Sequence, residues 1–209
     1  ENVAIGNYSL DALTSGVRNT VIGYEAGTDM NTGFYNLIAG YRAGYDTTTG
    51  GSNVFLGYEA GKANTIGSTN IAIGRGALDA ADEESHNIAI GYDALGGAVD
   101  GGEENVAIGN YTLDALTSGD ANTTVGHSAG SAIIGGAENT FIGKNAGLNT
   151  TSGSKNVAVG CAARTGTTGS QNITIGGDAG GYTNTANDNI AIGYKSSKAL
   201  IGGEKNVGV

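Results

Sequence analysis

One five-residue phrase, Asn2-Val3-Ala4-Ile5-Gly6, returns along the whole chain. Its asparagine falls at Asn2, Asn19, Asn36, Asn53, Asn70, Asn87, Asn105, Asn122, Asn139, Asn156, Asn172, Asn189 and Asn206. Ten of the twelve intervals are 17 residues; one is 18 and one is 16. A unit this short cannot enclose a core of its own, so a fixed short period demands that each copy stack on the next. The chain holds twelve complete repeats and the start of a thirteenth.

With each asparagine as position 1, position 5 is glycine in every full repeat: Gly6, Gly23, Gly40, Gly57, Gly74, Gly91, Gly109, Gly126, Gly143, Gly160, Gly176 and Gly193. Positions 2 and 4 are mostly Val, Ile, Leu or Thr, which reads as a short strand. Positions 2 and 4 then share one face, and position 3 takes the other. The glycine that follows fits a bend with no room for a Cβ. Position 8 is Ala, Ser or Thr throughout, and positions 6 to 9 read as a second, shorter strand. Positions 10 to 17 carry turn chemistry, with glycine common at position 15, as at Gly16, Gly33 and Gly50. The expected fold is all-β: a parallel β-solenoid of about twelve 17-residue coils, each coil a strand, a bend, a second strand and a long turn. At ~4.8 Å per coil the rod would be roughly 55–60 Å long. The asparagines would form a structural ladder, each side chain over the last, capping the turn backbone.

Position 3 is often apolar (Ala4, Val21, Ile38, Phe55, Phe141) although it faces away from positions 2 and 4. A strand apolar on both faces is usually covered on both, which points to other copies of the chain as partners. The residues Asn2–Gly16 and Asn105–Gly119 differ only at Ser9 and Thr112, consistent with duplication of a six-coil block.

Composition narrows the function classes. Glycine is 39 of 209 residues and proline is absent, which argues for a continuous hydrogen-bonded ladder rather than a disordered chain. A net charge of −10 disfavours nucleic acid and anionic membrane surfaces as partners. No apolar run reaches the ~20 residues of a membrane helix. The chain begins one residue before a repeat and ends inside another, so residues 1–209 read as a single solenoid domain cut from a longer fibre.

Few residues invite chemistry. Tyr24, Tyr41 and Tyr58 occupy position 6 of three successive coils, with Tyr92 and Tyr194 later. They read either as aromatic stacking that sets register or as a surface-binding stripe for carbohydrate. His86 and His127 lie at different repeat positions and share no obvious metal. Cys161 has no cysteine to pair with and no adjacent base. The acidic turns at Asp82-Glu83-Glu84 and Glu103-Glu104 lack the spaced pattern of a calcium loop. The glycines around Lys62 miss the spacing of a phosphate-binding loop. Threonines wander among repeat positions rather than forming the flat columns that ice binding needs. The expectation is therefore a protein that is not an enzyme, without catalytic residues, metal ligands or cofactors.

The phrases Asn-Val-Ala-Ile-Gly, Asn53-Val54-Phe55-Leu56-Gly57-Tyr58-Glu59-Ala60-Gly61 and Thr-Thr-Gly resemble two groups of repeats. One is the head of trimeric autotransporter adhesins, a left-handed β-roll. The other is the longer-period repeat of phage tail fibres and related surface proteins, which the 17-residue period favours. The resemblance implies a homotrimer and a left-handed coil. It implies an extracellular setting, on a virion tail fibre or a cell surface. The expected role is rigid spacing and host-surface attachment, with a cell-surface glycan or other host receptor as partner. A bacterial adhesin or extracellular filament and an ice-binding solenoid stand as alternatives.

Overall fold

The computed structural model describes residues 1–180, 185–197 and 203–209. Thirteen strands form one parallel sheet in strict chain order. They are β1 (Val3–Ile5), β2 (Thr20–Ile22), β3 (Leu37–Ala39), β4 (Val54–Leu56), β5 (Ile71–Ile73), β6 (Ile88–Ile90), β7 (Val106–Ile108), β8 (Thr123–Val125), β9 (Thr140–Ile142), β10 (Val157–Val159), β11 (Ile173–Ile175), β12 (Ile190–Ile192) and β13 (Val207–Gly208). Each of β1 to β12 is positions 2 to 4 of its repeat, and β13 is positions 2 and 3. Equivalent positions pair directly, as in Val54↔Ile71, Phe55↔Ala72 and Leu56↔Ile73. The chain is a parallel β-solenoid of about twelve turns. No helix occurs among the described residues, and none is long and apolar enough to cross a membrane.

The ladder hydrogen bonds run one way on each side of the strand. The position-2 amide donates to the next asparagine carbonyl, as Val54 does to Asn70 at 2.9 Å. The bend-glycine amide donates back to position 4 of the preceding coil, as Gly57 does to Ala39 at 2.9 Å.

Positions 6 to 9 form turns, not the second strand that the sequence suggested, and the described residues hold one sheet rather than two. The cause is a left-handed backbone at positions 7 and 9, for example Glu25 at φ 52° and Leu78 at φ 51°. Such residues curl the chain, yet their amides still bond to neighbouring coils: Glu25 N donates to Asn7 O at 3.0 Å, and Gly44 N to Ala60 O at 2.9 Å. The stack is thus hydrogen-bonded along its axis outside the sheet as well as within it.

The interior also inverts an expectation. Position 3 points inward, not outward: Val21, Ile38, Phe55, Ala72, Ala89, Ala107, Phe141 and Ala158 are fully buried. Facing them are the small residues of position 8, with Ala26, Ala43, Ala60 and Ala77 also fully buried. A third set comes from position 12, where Met30, Leu116 and Ile133 complete the core. A narrow interior takes one side chain per strand, the middle one; the two flanking it must look outward.

Candidate functional site

Each asparagine side chain from Asn2 to Asn189 holds two backbone groups, and several also bond the preceding asparagine, as Asn36 Nδ2 does to Asn19 Oδ1 at 3.1 Å. The Asn19 side-chain oxygen accepts the Asn36 amide at 3.0 Å, and its Nδ2 donates to the Gly33 carbonyl at 2.8 Å. The same pair recurs at Asn87, whose oxygen accepts the Asn105 amide at 2.9 Å and whose Nδ2 donates to Gly102 O at 2.9 Å. Asn53, Asn70, Asn87, Asn105, Asn122, Asn139 and Asn156 are wholly inaccessible to solvent. The column therefore supplies partners for backbone groups at the mouth of each strand and presents nothing to a ligand.

The bend glycines stack just as closely. Their φ values run from +121° to +146°, outside the range of residues with a side chain. A Cβ on Gly40 would lie 2.1 Å from the Gly57 carbonyl oxygen, and one on Gly91 would lie 2.5 Å from that of Gly109.

What faces solvent is the outer side of the strands. At positions 2 and 4 the outward residues are Val, Ile or Leu in every strand except at Thr20, Ala39, Thr123 and Thr140. Val3, Ile5, Ile22, Leu37, Ile108, Ile142, Ile175 and Ile192 are among the exposed large hydrophobic residues of the surface. The result is an apolar strip two residues wide running the length of the rod. Its continuity is of the kind that marks an interaction surface rather than chance exposure.

Two columns border this strip. On one side lies the residue after each bend glycine. Here Tyr24 and Tyr41 stack with ring centres 5.6 Å apart and planes 7° from parallel, and Tyr41 and Tyr58 at 5.1 Å and 13°. Tyr8 closes the start edge-on to Tyr24 at 6.0 Å. Arg75 follows, its guanidinium 5.3 Å from the Tyr58 ring centre and 5.5 Å from that of Tyr92. Tyr111 then meets Tyr92 at 5.2 Å and His127 at 5.8 Å, both edge-on. The three tyrosines singled out from the sequence thus belong to a longer column. Arg75 and Tyr111 were not legible as members because they interrupt the tyrosine pattern by identity or by one position, and His127, read from the sequence only as a lone histidine, joins the same column. The ring faces of Tyr41 are covered by its neighbours, so a ligand would meet ring edges and hydroxyls. A hydrogen bond to the neighbouring Glu25, then that carboxylate's charge and, least of the three, desolvation hold the Tyr24 hydroxyl above its ordinary pKa, so it stays a neutral donor.

On the other side lies the residue before each asparagine. From Arg18 to Lys205 these residues are left-handed, from φ 54° at Ala121 to 64° at His86. Charges alternate along this edge in places: Glu1 with Arg18 at 2.9 Å, and Glu138 with Lys155 at 3.8 Å.

The acidic turns gather Asp82, Glu83, Glu84, Asp100 and Glu103 around one open cleft. Glu84 is turned into the backbone: its carboxylate accepts the amides of Asp82 at 2.9 Å, Glu83 at 3.1 Å and Gly101 at 2.8 Å. It thereby ties the 18-residue coil to the coil before it. Among the described residues no group of three or more His, Cys, Asp or Glu is arranged to hold a metal ion. His86 and His127 stay apart, His127 contacting Ser128 Oγ through Nδ1 at 3.0 Å. Cys161 is exposed in the column that follows the bend glycines.

Fold and surface together define a parallel β-solenoid repeat protein with one apolar strip. No protein-family model, curated protein or solved structure matches the chain.

Proposed function

We propose that this chain is a segment of a rod-like fibre built from parallel copies of itself, three by the resemblance of its repeats, and that it serves as a rigid spacer and attachment element outside the cell. A phage tail fibre is the favoured setting, with a bacterial surface filament as the alternative. The observation that carries the reading is the apolar strip along positions 2 and 4. It runs the full rod and has the wrong chemistry for solvent. Copies packed strip to strip would bury it and stiffen the rod. Host attachment would then fall to surfaces left outside the bundle, through a glycan or other receptor. The test is solution mass by light scattering together with electron microscopy. A particle of three chains and a rod of about 58 Å, from ~4.8 Å per coil, support the reading; a stable monomer at micromolar concentration refutes it.

A further inference from the structure

The chain has one cysteine, so no disulfide can tie one of its coils to another. Its tyrosines are placed to do so by a different chemistry. Tyr24, Tyr41 and Tyr58 occupy one position of three successive coils and are all exposed. The backbone fixes the level of Tyr58 against Tyr41 on both sides. Gly57 N donates to Ala39 O at 2.9 Å, and Glu59 N donates to Tyr41 O at 2.9 Å. In near-parallel rings carried by such a stack, the carbons beside one hydroxyl lie about one coil step, ~4.8 Å, from those beside the next.

We propose that Tyr41 and Tyr58 form an oxidative cross-linking site, joined ring to ring as a dityrosine by a one-electron oxidant of the peroxidase class with hydrogen peroxide as co-substrate. This goes beyond the fibre reading and does not rest on it. The oxidant takes one electron and the hydroxyl proton from each phenol. The unpaired electron of each radical spreads onto the ring carbons beside the oxygen. The two odd electrons then pair as a carbon–carbon bond. The hydrogen on each joined carbon moves to oxygen, which restores both phenols. Two tyrosines and one peroxide thus give one dityrosine and two waters.

Ring orientation selects the pair. The orbitals that form the new bond stand perpendicular to the ring planes, so they point at each other only across facing rings. Tyr41 and Tyr58 meet that need, with ring centres 5.1 Å apart and planes 13° from parallel. Tyr24 and Tyr41 follow at 5.6 Å and 7°. Tyr92 and Tyr111 are as near, at 5.2 Å, but at 68° one presents its edge to the other. Tyr8 stands at 90° to Tyr24. The Arg75 guanidinium, 5.3 Å from the Tyr58 ring centre, ends the run of facing rings. A bond between Tyr41 and Tyr58 spans 17 residues of chain. Like a disulfide, it would restrict the unfolded chain more than the folded one.

The test treats the whole chain with peroxidase and hydrogen peroxide at low protein concentration. Dityrosine fluorescence should appear, the intact mass should fall by two hydrogens per bond, and the product should stay one chain in size on a denaturing gel. Peptide mapping should place the bond foremost between positions 41 and 58, and the melting temperature should rise. Tyr41→Phe keeps a ring in the stack and should lose most of the fluorescence, whereas Tyr92→Phe should keep it. In denaturant the preference for Tyr41 with Tyr58 should vanish. Equal fluorescence from the wild type and Tyr41→Phe would overturn the site. So would mapping that favours positions 92 and 111, bonds formed mainly between chains, or the same pairing in denaturant. A melting temperature unchanged by the bond would overturn its role as a tie between coils.

Discussion

At the scale of single residues, size complementarity across the coil decides which side chains are tolerated. Position 3 is large where position 9 is glycine: Val21 with Gly27, Ile38 with Gly44, Phe55 with Gly61, Phe141 with Gly147. It is alanine where position 9 is leucine: Ala4 with Leu10, Ala72 with Leu78, Ala89 with Leu95, Ala107 with Leu113. The backbone does not explain the glycines, because Leu78 at φ 51° and Gly61 at φ 59° share one conformation. Volume does: a Cβ on Gly61 would lie 2.6 Å from the Phe55 ring. Phe55→Ala should cost about 3–5 kcal/mol through the cavity it leaves. Gly61→Leu should destabilise by overpacking. The double variant reproduces the Ala72–Leu78 coil and should recover most of the loss, a coupling that thermal melts of the four proteins would reveal; additive losses would refute it. Gly91→Val is different in kind. Its φ of +140° and the Gly109 oxygen 2.5 Å from any Cβ leave no escape. It should lower stability by at least ~3 kcal/mol and admit no rescue by a neighbour. Asn87→Ala strands the Gly102 carbonyl and the Asn105 amide inside the protein. At ~1–3 kcal/mol for each unsatisfied group, a loss of about 2–6 kcal/mol is expected in denaturant titrations.

At the scale of the coil, strand and turn divide the work. The strand is short, and its side chains alternate inward and outward. The turns carry the left-handed residues and most of the charge. Some turn carboxyls are half-buried. Burial raises the pKa of Asp79 first, and the nearby Asp93 raises it further; burial does the same at Asp114 and Asp46. A carboxyl whose pKa is higher folded than unfolded binds its proton more tightly in the folded state. Its stabilising effect is full below the unfolded value, near ~4, and is lost as pH rises through the folded value. Asp79→Asn should therefore raise the melting temperature at pH 7 and leave it nearly unchanged at pH 4. Equal gains at both pH values would remove burial of this charge as the cause. The second strand expected from the sequence failed at this scale. Positions 6 to 9 are short and mixed in character, and nothing in their residue types announces a left-handed leucine or glutamate.

At the scale of the whole molecule, the rod is a one-dimensional stack in which each coil touches only its neighbours. Its longest continuous apolar surface is the strip, where Ile73 and Ile90 sit near mid-length on adjacent β5 and β6. Replacing both by lysine sets like charges against each other in any strip-to-strip assembly while leaving the inward position 3 untouched. The variant should keep its β-sheet circular dichroism and fall to a single chain by light scattering. An unchanged oligomer would show that copies meet elsewhere.

The period, the parallel stack and the bend at each glycine were readable from spacing. A residue that recurs every 17 positions in a chain without proline has few places to go except above its predecessor. The start of the tyrosine column was visible for the same reason, though Arg75 as its cation was not, since only the stacked geometry sets a guanidinium between two rings. The facing of each strand needed the tertiary structure. Alternation assigns residues to two faces but carries no sign when both are apolar, and the sign depends on what lies across the coil. Here position 3 meets positions 8 and 9 in a space too narrow for the pair at positions 2 and 4. That packing, set by residues five and six places apart and closed by left-handed turns, sent the larger apolar surface outward.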